Sequence, residues 1–191
     1  MNESGRNQFK RYKKIINLIS KVIGCLSKKK QIKLFNKISK GESKFKLVLR
    51  YVILKNVCKK CGDNIFVGEF VTIKNMENLS LGDNVSIHKY CYIDALGEIE
   101  IGNDVSIATD TKFFSFNHGY DDEKTPIKYN PLKKGKITIS SDVWIGANCV
   151  ILANVNIERR VIVAAGSVVT KELKENNIYG GVPAKVIKKI N

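Results

Sequence analysis

Aliphatic residues return at every sixth position between residues 137 and 173. A period of six matches neither the 3.6-residue turn of a helix nor the two-residue alternation of a simple strand. It predicts a chain that turns a corner every six residues, so that three hexads close one triangular coil of a β-helix. The repeated positions are Ile139, Ile145, Ile151, Ile157, Val163 and Val169.

Smaller residues accompany this series. The residue after each aliphatic is often small, as at Ser140, Gly146 and Ala164. A sandwich of short strands with accidental spacing is the alternative, and six consecutive matches disfavour it. A second small or β-branched residue follows four positions after the aliphatic, at Val143, Cys149, Val155, Val161 and Ser167.

The same period begins upstream, at Val67, and two-residue slips interrupt it at Asn78-Leu79 and Leu96-Gly97. It stops after Phe113 and restarts at Ile139. Because the repeats on both sides stay intact, residues 115–136 are predicted to form a loop pushed out of the coil. A loop of this length in a compact domain usually has a function.

The N-terminal third has a different pattern. Apolar residues from Ile15 to Leu26 follow one face of an amphipathic helix. Helix is also predicted on both sides of Gly41, within residues 31–57. The sequence therefore predicts a basic, mainly helical arm over residues 1–57 and a β-helix domain over residues 58–190.

Charge is concentrated in that arm. Residues 1–60 contain 18 Lys and Arg against Glu3 and Glu42, a net of +16, whereas the whole chain carries +15. The imbalance favours an anionic partner for residues 10–60, such as a membrane surface or an acidic glycan. Packing of the helix on the body or on a neighbouring subunit, with solvated lysines, is the alternative. No aromatic interleaving or binding motif points to nucleic acid.

The cysteines indicate the compartment. The pair Cys58 and Cys61 has the spacing of metal ligands, but no second pair or histidine cluster completes a zinc site. Five cysteines form no disulfide framework, which is typical of a reducing compartment. With no apolar run near the roughly 20 residues that span a bilayer, the prediction is a cytoplasmic protein, with peripheral contact at the inner face of the membrane left open.

The extruded loop contains His118, one of two histidines in the chain. An imidazole titrates near pH 6.5, which suits a general base at neutral pH. A solvated bystander is the alternative from sequence alone.

Several motifs that follow one another along the chain support a catalytic role for His118. They are Asn117-His-Gly-Tyr-Asp121, Asp142-Val-Trp-Ile-Gly-Ala147, the run from Val163 to Lys171, and Gly180-Gly-Val-Pro-Ala-Lys-Val-Ile187. In these motifs and in its hexads, the chain resembles the left-handed β-helix hexapeptide acyltransferases over residues 62–190. Within that family it resembles bacterial cell-surface glycan O-acetyltransferases and the galactoside and maltose acetyltransferases. Residues 1–57 lie outside the resemblance.

The resemblance implies a homotrimer of triangular prisms with active sites in clefts between adjacent subunits. It implies acetyl-CoA as donor and direct transfer, with His118 as general base and a backbone N–H holding the oxyanion. The predicted fold is an all-β left-handed parallel β-helix with a basic helical N-terminal segment and a short C-terminal helix.

By motif position, the resemblance also implies a donor site. The main chain of Ala147 would meet the thioester or pantetheine, and Trp144 would line the cleft, unless it simply covers the prism face. Lysines would serve the CoA phosphates as point charges, with a solvated role as the alternative for each. The other donor-site residues are Ala165, Thr170, Lys171, Lys185 and Lys188.

The acceptor side is less defined. His88 stands where galactoside-type relatives have a polar acceptor residue, and the sequence departs from them there. Asp94 and Asn117 are further candidates. Asp121 and Asp122 could orient the histidine or cap the loop.

The predicted function is transfer of acetyl from acetyl-CoA to a sugar hydroxyl of a bacterial surface polysaccharide or its precursor. Another small acceptor, such as an amino sugar, a serine or an antibiotic, and a non-catalytic β-helical scaffold remain alternatives. No metal is expected, because a carbonic-anhydrase-type site needs three histidines.

Overall fold

The computed structural model describes residues 5–190: three helices followed by a solenoid of short strands. The solenoid confirms the β-helix prediction, and the helices confirm the helical N-terminal segment. The left-handed sense of the coil stays a prediction. The helices are α1 (Gly5–Gly24), α2 (Lys28–Lys37) and α3 (Lys44–Val57), and single 3₁₀ turns lie at Met76–Asn78 and Ile127–Tyr129.

Each strand is two to five residues long. In chain order they are β1 (Lys60–Cys61), β2 (Phe66–Val67), β3 (Thr72–Lys74), β4 (Leu79–Leu81), β5 (Ser86–Ile87), β6 (Tyr92–Asp94), β7 (Ile99–Ile101), β8 (Ser106–Ile107), β9 (Lys112–Phe114), β10 (Phe116–His118), β11 (Leu132–Lys134), β12 (Ile137–Ile139), β13 (Trp144–Ile145), β14 (Val150–Ile151), β15 (Asn156–Ile157), β16 (Ile162–Val163), β17 (Val168–Val169), β18 (Asn177–Gly180) and β19 (Lys185–Lys189).

Parallel strands build the three faces of the prism. Face A has the order β1-β4-β7-β12-β15, and face C has the order β17-β14-β9-β6-β3. Face B has the order β18-β16-β13-β8-β5-β2, with β19 added antiparallel at its end. Strands of successive coils pair in register, so that Ile107, Ile145 and Val163 stack directly above one another.

The repeated aliphatic residues fill the inside of the prism. Ile139, Ile145, Ile151, Ile157, Val163 and Val169 are all 2% exposed or less. They are separated by 18 residues per coil on each face, as from Ile145 to Val163, whereas the first coils advance by 20 residues, as from Ile87 to Ile107. The extra residues lie between faces C and A, at the two positions where the sequence period slips. The coil therefore keeps its register because each insertion stays at a corner.

Polar side chains line the corners between faces A and B. Asn64, Asn84 and Asp104 have positive φ angles of 58°, 58° and 56°, a conformation that Asn and Asp adopt more readily than other residues with a Cβ. The amide of Asn64 donates to the Oδ1 of Asn84 at 3.0 Å, and Asn84 donates to Asp104 at 3.0 Å. This ladder ties the first three coils together outside the core.

Helix α3 closes the first end of the prism. Seven of its residues are buried, among them Val52, Ile53 and Leu54, each 0% exposed. It packs on β1, β2 and the 3₁₀ turn, covering aliphatic residues that an open coil would expose to water.

The buried guanidinium of Arg50 holds the link between α2 and α3. Its nitrogens donate to the carbonyls of Ile38, Ser39 and Gly41 at 3.0–3.1 Å. These carbonyls stand at and beyond the end of α2, where helical partners are missing. Burial lowers the pKa of Arg50 from its usual value, and the carbonyls take the place of water around the charge.

Helix α1 runs along the edge between faces A and B. Arg6 pairs with Asp104 on the third coil, and Lys13 Nζ lies 2.5 Å from Asp63 Oδ2 on the first. Seven residues of helix advance about 10 Å, which matches two strand spacings of about 4.8 Å. The axis of α1 is therefore roughly parallel to the prism axis, and its later residues rise past the first coil.

The predicted short C-terminal helix is wrong. Residues after Gly180 turn back and form β19, which pairs antiparallel with β18. β18 is the last parallel strand of face B and offers unpaired backbone groups. The segment Lys185–Lys189 contains Val186 and Ile187, whose branched side chains favour a strand.

From residue 5 to residue 190, no helix combines the length and apolarity needed to cross a bilayer.

Because the aliphatic side chains stack tightly, we expect a cavity among them to reduce the stability of the protein strongly. We expect Ile145→Ala to lower the free energy of unfolding by about 2–5 kcal/mol, because its side chain is fully buried between two coils. Urea denaturation followed by circular dichroism measures this. Ile187→Ala is the control, since Ile187 is 60% exposed; equal losses in both variants would contradict a core that depends on the stacked positions.

Candidate active site

Two edges of the prism carry the predicted site residues. The B/C edge is the set of corners between faces B and C, including residues 146–149 and 164–167. The C/A edge is the set of corners between faces C and A, from which the loop of residues 115–136 leaves the coil. Face C separates the two edges, and the step from Ala165 to Thr170 covers roughly 16 Å at about 3.3 Å per residue.

A row of small residues approaches the B/C edge along face B. Backbone hydrogen bonds of 2.8–3.0 Å stack Gly68, His88, Ala108, Gly146 and Ala164 on successive coils. A Cβ on Gly146 would lie 2.6 Å from the amide nitrogen of Ala165. The coils are thus packed as closely as glycine allows at Gly146, and His88 is the one large side chain in the row.

Ala147 and Ala165 follow this row and present main-chain donors. The carbonyl of Ala147 accepts from the N–H of Gly166 at 2.8 Å. The N–H groups of Ala147 and Ala165 have no hydrogen-bond acceptor within residues 5–190. Two unpaired N–H groups on adjacent coils, about 4.8 Å apart, can bind carbonyl oxygens of a ligand lying along the B/C edge.

Trp144 stands on face B of the same coil. Its side chain is 53% exposed and borders a cavity of about 260 Å³ that Ile162 and Ile190 also line. Beyond it, Lys185 and Lys188 are exposed on β19, at the end of the same face. Trp144 and the two lysines therefore belong to face B, and Ala147 and Ala165 lie at the B/C edge of that face, whereas the cavity beside Trp144 opens toward the corners between faces A and B.

Thr170 and Lys171 do not lie at the B/C edge. Both are exposed at the C/A edge of the fifth coil, directly after β17. Within one chain, face C separates them from the N–H groups of Ala147 and Ala165.

His118 also belongs to the C/A edge. It is exposed at the end of β10, which pairs antiparallel with β11, and Asn117 stands opposite Lys133. Its imidazole forms no hydrogen bond with any described residue. A ring contact of 6.4 Å between Phe114 and Phe116 connects this hairpin to face C.

The two aspartates of the loop stabilise the loop and do not contact the histidine. Asp121 pairs with Lys133 at 2.5 Å. The carboxylate of Asp122 accepts from Thr125 Oγ1 at 2.7 Å and from the N–H of Lys124 at 3.0 Å, which lowers the pKa of Asp122. Of the two roles predicted for this pair, the geometry matches loop capping.

His88 and Asp94 are not neighbours. His88 is exposed on the row of face B, with its ring 5.5 Å from that of Phe66. Two strand spacings, about 10 Å, separate it from Gly146. Asp94 is buried at the base of the loop, where Asn75 donates to its carboxylate at 2.6 Å and the hydroxyl of Ser115 donates to its carbonyl at 2.7 Å.

Burial raises the pKa of four of the five cysteine thiols, those of Cys58, Cys61, Cys91 and Cys149. Burial raises the pKa of Cys58 well above its usual value and that of Cys61 to about 12. Cys149, two residues after Ala147, is fully buried, donates to the carbonyl of Ala164 at 3.2 Å and also has a raised pKa. Over residues 5–190, no three His, Cys, Asp or Glu side chains are grouped to hold a metal ion.

Known proteins share this repeat. The family model described as bacterial transferase hexapeptide (six repeats) matches residues 136–171. A putative lipopolysaccharide biosynthesis O-acetyl transferase of Escherichia coli is 34% identical over 132 residues, 68% of this chain and 60% of the relative. The chain belongs to the hexapeptide-repeat transferase family. It spans less than two thirds of the curated relatives that match it first.

Solved structures of the family agree with the fold. A hexapeptide-repeat acetyltransferase of Vibrio cholerae, complexed with acetyl-CoA, superposes with a TM-score of 0.75 at 26% identity, over 85% of this chain and 86% of that one. A maltose O-acetyltransferase of Clostridium difficile gives 0.74 at 28% identity, over 86% and 84%. The similarity includes most of the prism.

Some features of this hexapeptide-repeat protein escaped the sequence interpretation. Asn130, which is buried at 5% exposure, organises the loop tip by donating to the carbonyls of Asp122 and Thr125 at 3.2 and 2.7 Å. A buried asparagine in a polar loop has no local sequence signal. The aromatic contact at the loop base was readable only as the run Phe113-Phe-Ser-Phe116.

The side chain of Asn130 therefore stabilises the loop, and a substitution can remove it. We expect Asn130→Ala to accelerate trypsin cleavage within residues 115–136 by about tenfold, because a lost hydrogen-bonded amide lowers local opening free energy by roughly 1–2 kcal/mol. The melting temperature of the whole protein should stay within about 2 °C. Ile127→Ala, at a side chain 64% exposed, is the matched control. A slow, unchanged digestion of Asn130→Ala would contradict this role.

Proposed function

We propose that the protein is an acetyl-CoA-dependent O-acetyltransferase that modifies a sugar hydroxyl of a bacterial surface polysaccharide or its precursor. The observation that carries the proposal is the pair of free N–H groups at Ala147 and Ala165, beside a row of small residues on face B. The family membership and the acetyl-CoA complex of the Vibrio cholerae relative support the donor. The Escherichia coli relative, named for lipopolysaccharide biosynthesis, supports the acceptor class.

The donor would lie along the B/C edge. The N–H of Ala165 would bind a pantetheine carbonyl, and that of Ala147 would hold the thioester oxygen as it becomes an oxyanion. Such a preorganised donor is worth roughly 3–4 kcal/mol in acyl transfer. Trp144 would line the cleft, and Lys185 and Lys188 would attract the CoA phosphates as point charges.

The base would come from a second subunit. His118, Thr170 and Lys171 belong to the C/A edge, whereas Ala147 and Ala165 belong to the B/C edge. In a homotrimer of parallel prisms the C/A edge of one subunit faces the B/C edge of the next, and the two sets close one cleft. The site is then repeated three times by symmetry.

The chemistry would be a single direct transfer. His118 removes the proton of the acceptor hydroxyl as its oxygen attacks the thioester carbonyl, and the resulting imidazolium returns the proton to the departing CoA thiolate. A covalent acyl-enzyme is disfavoured because Cys149, the thiol nearest in sequence, is buried and protonated. No metal takes part in this sequence of steps.

The acceptor would enter from the loop side of the cleft. His88 stands about 10 Å along face B from Gly146, within reach of a sugar bound at the thioester. Asn117 precedes the base on the same strand. The hydrogen bonds of Asp94 at the loop base favour a positioning role for this residue over direct sugar contact.

The proposal includes a cytoplasmic location. The cysteines at positions 25, 58, 61, 91 and 149 are free thiols, which fits a reducing compartment.

Removal of the base tests the enzymatic role. We expect His118→Ala to lower kcat by about 10²–10⁴-fold, while the affinity for CoA, measured by calorimetry, stays within about twofold. Turnover is followed as thiol release with nucleotide sugars and surface oligosaccharides, and mass spectrometry of the products identifies the acetylated acceptor. Turnover by His118→Ala equal to that of the wild type would exclude His118 as the general base. CoA binding by the wild type without turnover on any acceptor would favour a non-catalytic β-helical module.

Mixed trimers test the shared site. Ala165→Trp blocks the donor edge with a bulky side chain at an exposed position, and His118→Ala removes the base. If each site takes its loop and its donor edge from different subunits, random reassembly of the two inactive variants restores about one quarter of wild-type activity. Each variant reassembled with itself is the control. Absence of any recovery, with mixed trimers confirmed by mass, would place both groups in one chain.

A further inference from the structure

The N-terminal end of the prism carries an exposed apolar strip. Leu18 and Val22 on α1 are each 64% exposed, and Leu26 after the helix is 38% exposed. Leu18 and Val22 lie four residues apart on one side of the helix and Leu26 follows its end, while Ile16, Ile19 and Ile23 on the other side pack into the core cluster. The strip is therefore a second apolar side of α1, and it is left facing solvent in the single chain.

The position of α1 places this strip beyond the first coil. Lys13 is level with the first coil through its pair with Asp63, and Ser20 is level with α3 through a 3.0 Å hydrogen bond to Asn56. Each further helical residue advances about 1.5 Å. Val22 thus lies beside α3 at the capped end of the prism, since Ser20 bonds to Asn56 and Gly24, the last residue of α1, still lies next to the same Asn56 side chain.

Lysines surround the strip at this end. Lys21 is in the last turn of α1, and Lys28, Lys29 and Lys30 open α2. All are exposed, and none forms an ion pair with a residue from 5 to 190. Lys13 and Arg6, lower on α1, are in contrast paired with aspartates of the coil. Four exposed lysines without an ion pair therefore lie next to the apolar strip along the chain, in the last turn of α1 and the first turn of α2.

We propose that this cap-end patch, Leu18, Val22 and Leu26 with Lys21 and Lys28–Lys30, binds an anionic lipid bilayer surface. Apolar side chains that insert at the headgroup boundary and lysines that meet anionic headgroups are the two requirements of an interfacial helix. Charge complementarity selects this occupant: residues 1–60 carry a net +16, which repels a second copy of the same end.

The assembly proposed above would strengthen the contact. Three prisms with parallel axes turn their cap ends in the same direction, so one flat surface meets three patches at once. The B/C and C/A edges stay on the sides of the prisms and remain open. The acetyltransferase would then work on a glycan precursor held at the same membrane, although the patch and its lipid binding do not depend on that activity.

Vesicle flotation of the full chain tests the proposal. We expect binding to phosphatidylcholine vesicles that contain phosphatidylglycerol, weak binding to pure phosphatidylcholine, and loss of binding as salt rises. Lys28→Gln/Lys29→Gln/Lys30→Gln should weaken partitioning by roughly 100-fold, at about fivefold per lysine. Leu18→Gln/Val22→Gln should weaken it by at least about tenfold.

Matched variants remove the same groups elsewhere. Lys124→Gln/Lys128→Gln/Lys134→Gln takes three exposed charges from the loop, and Val186→Gln/Ile187→Gln takes two exposed apolar side chains from β19. Both controls should keep wild-type vesicle binding. Equal losses in the controls would overturn the proposal, because binding would then reflect total charge or total apolar surface.

Two other binding partners of the cap-end patch, a second copy of the chain and an acidic glycan, would give different results. If Leu18→Gln/Val22→Gln changes the mass of the assembly in light scattering, the strip is a contact between copies and the proposal fails. If the protein binds a soluble acidic polysaccharide through the same lysines, but vesicles no better than neutral lipid, an acidic glycan is the partner and the proposal also fails. Unchanged melting temperatures of the variants exclude misfolding as a cause.

Discussion

The structure depends on one packing constraint, the stacking of inward-facing side chains, nearly all of them aliphatic and buried, on each face of successive coils. Each face places its branched residue directly over the one below, as in Ile107, Ile145 and Val163. Parallel pairing provides the backbone hydrogen bonds in the same register. Because the two sets of interactions share one spacing, an insertion cannot lie within a face without breaking both. All the irregularity of the chain therefore lies at corners, including the loop of residues 115–136.

This constraint explains why the candidate chemistry is found at edges. The inside of the prism is closed to ligands, and the flat faces present alternating side chains with saturated backbone groups. At a corner the chain turns away from the ladder, and amide N–H groups such as those of Ala147 and Ala165 are left without partners. A rigid coil holds them at a fixed spacing, which is the preorganisation that acyl transfer needs. The loop at the next edge carries His118, the general base of the proposed reaction.

The helices cover the open end of the solenoid. Without a cap, the first coil would expose apolar residues such as Ile65 and Met76. The buried guanidinium of Arg50 completes the cap by satisfying carbonyls at the α2–α3 link. Once α3 is held in this way, α1 can extend along the prism edge and present its free apolar side and its lysines at the capped end of the prism.

The sequence by itself determined the coil, its faces and its interruption, because a period of six has one simple packing solution and every repeated position obeys it. It also predicted His118 and the donor-site residues, through their order along motifs shared with a family, and those roles stay predictions. Tertiary structure decided which of these residues are neighbours. Ala165 and Thr170 are five positions apart, yet a face of the prism separates them, since the direction of a side chain depends on the corner at which its residue falls. The strand at the C-terminus was also decided by tertiary structure, because the free edge of face B offered hydrogen bonds that no local pattern encodes. Asp94, equally, was a site candidate in the sequence and lies at the loop base in the fold, where Asn75 and Ser115 engage it across coils.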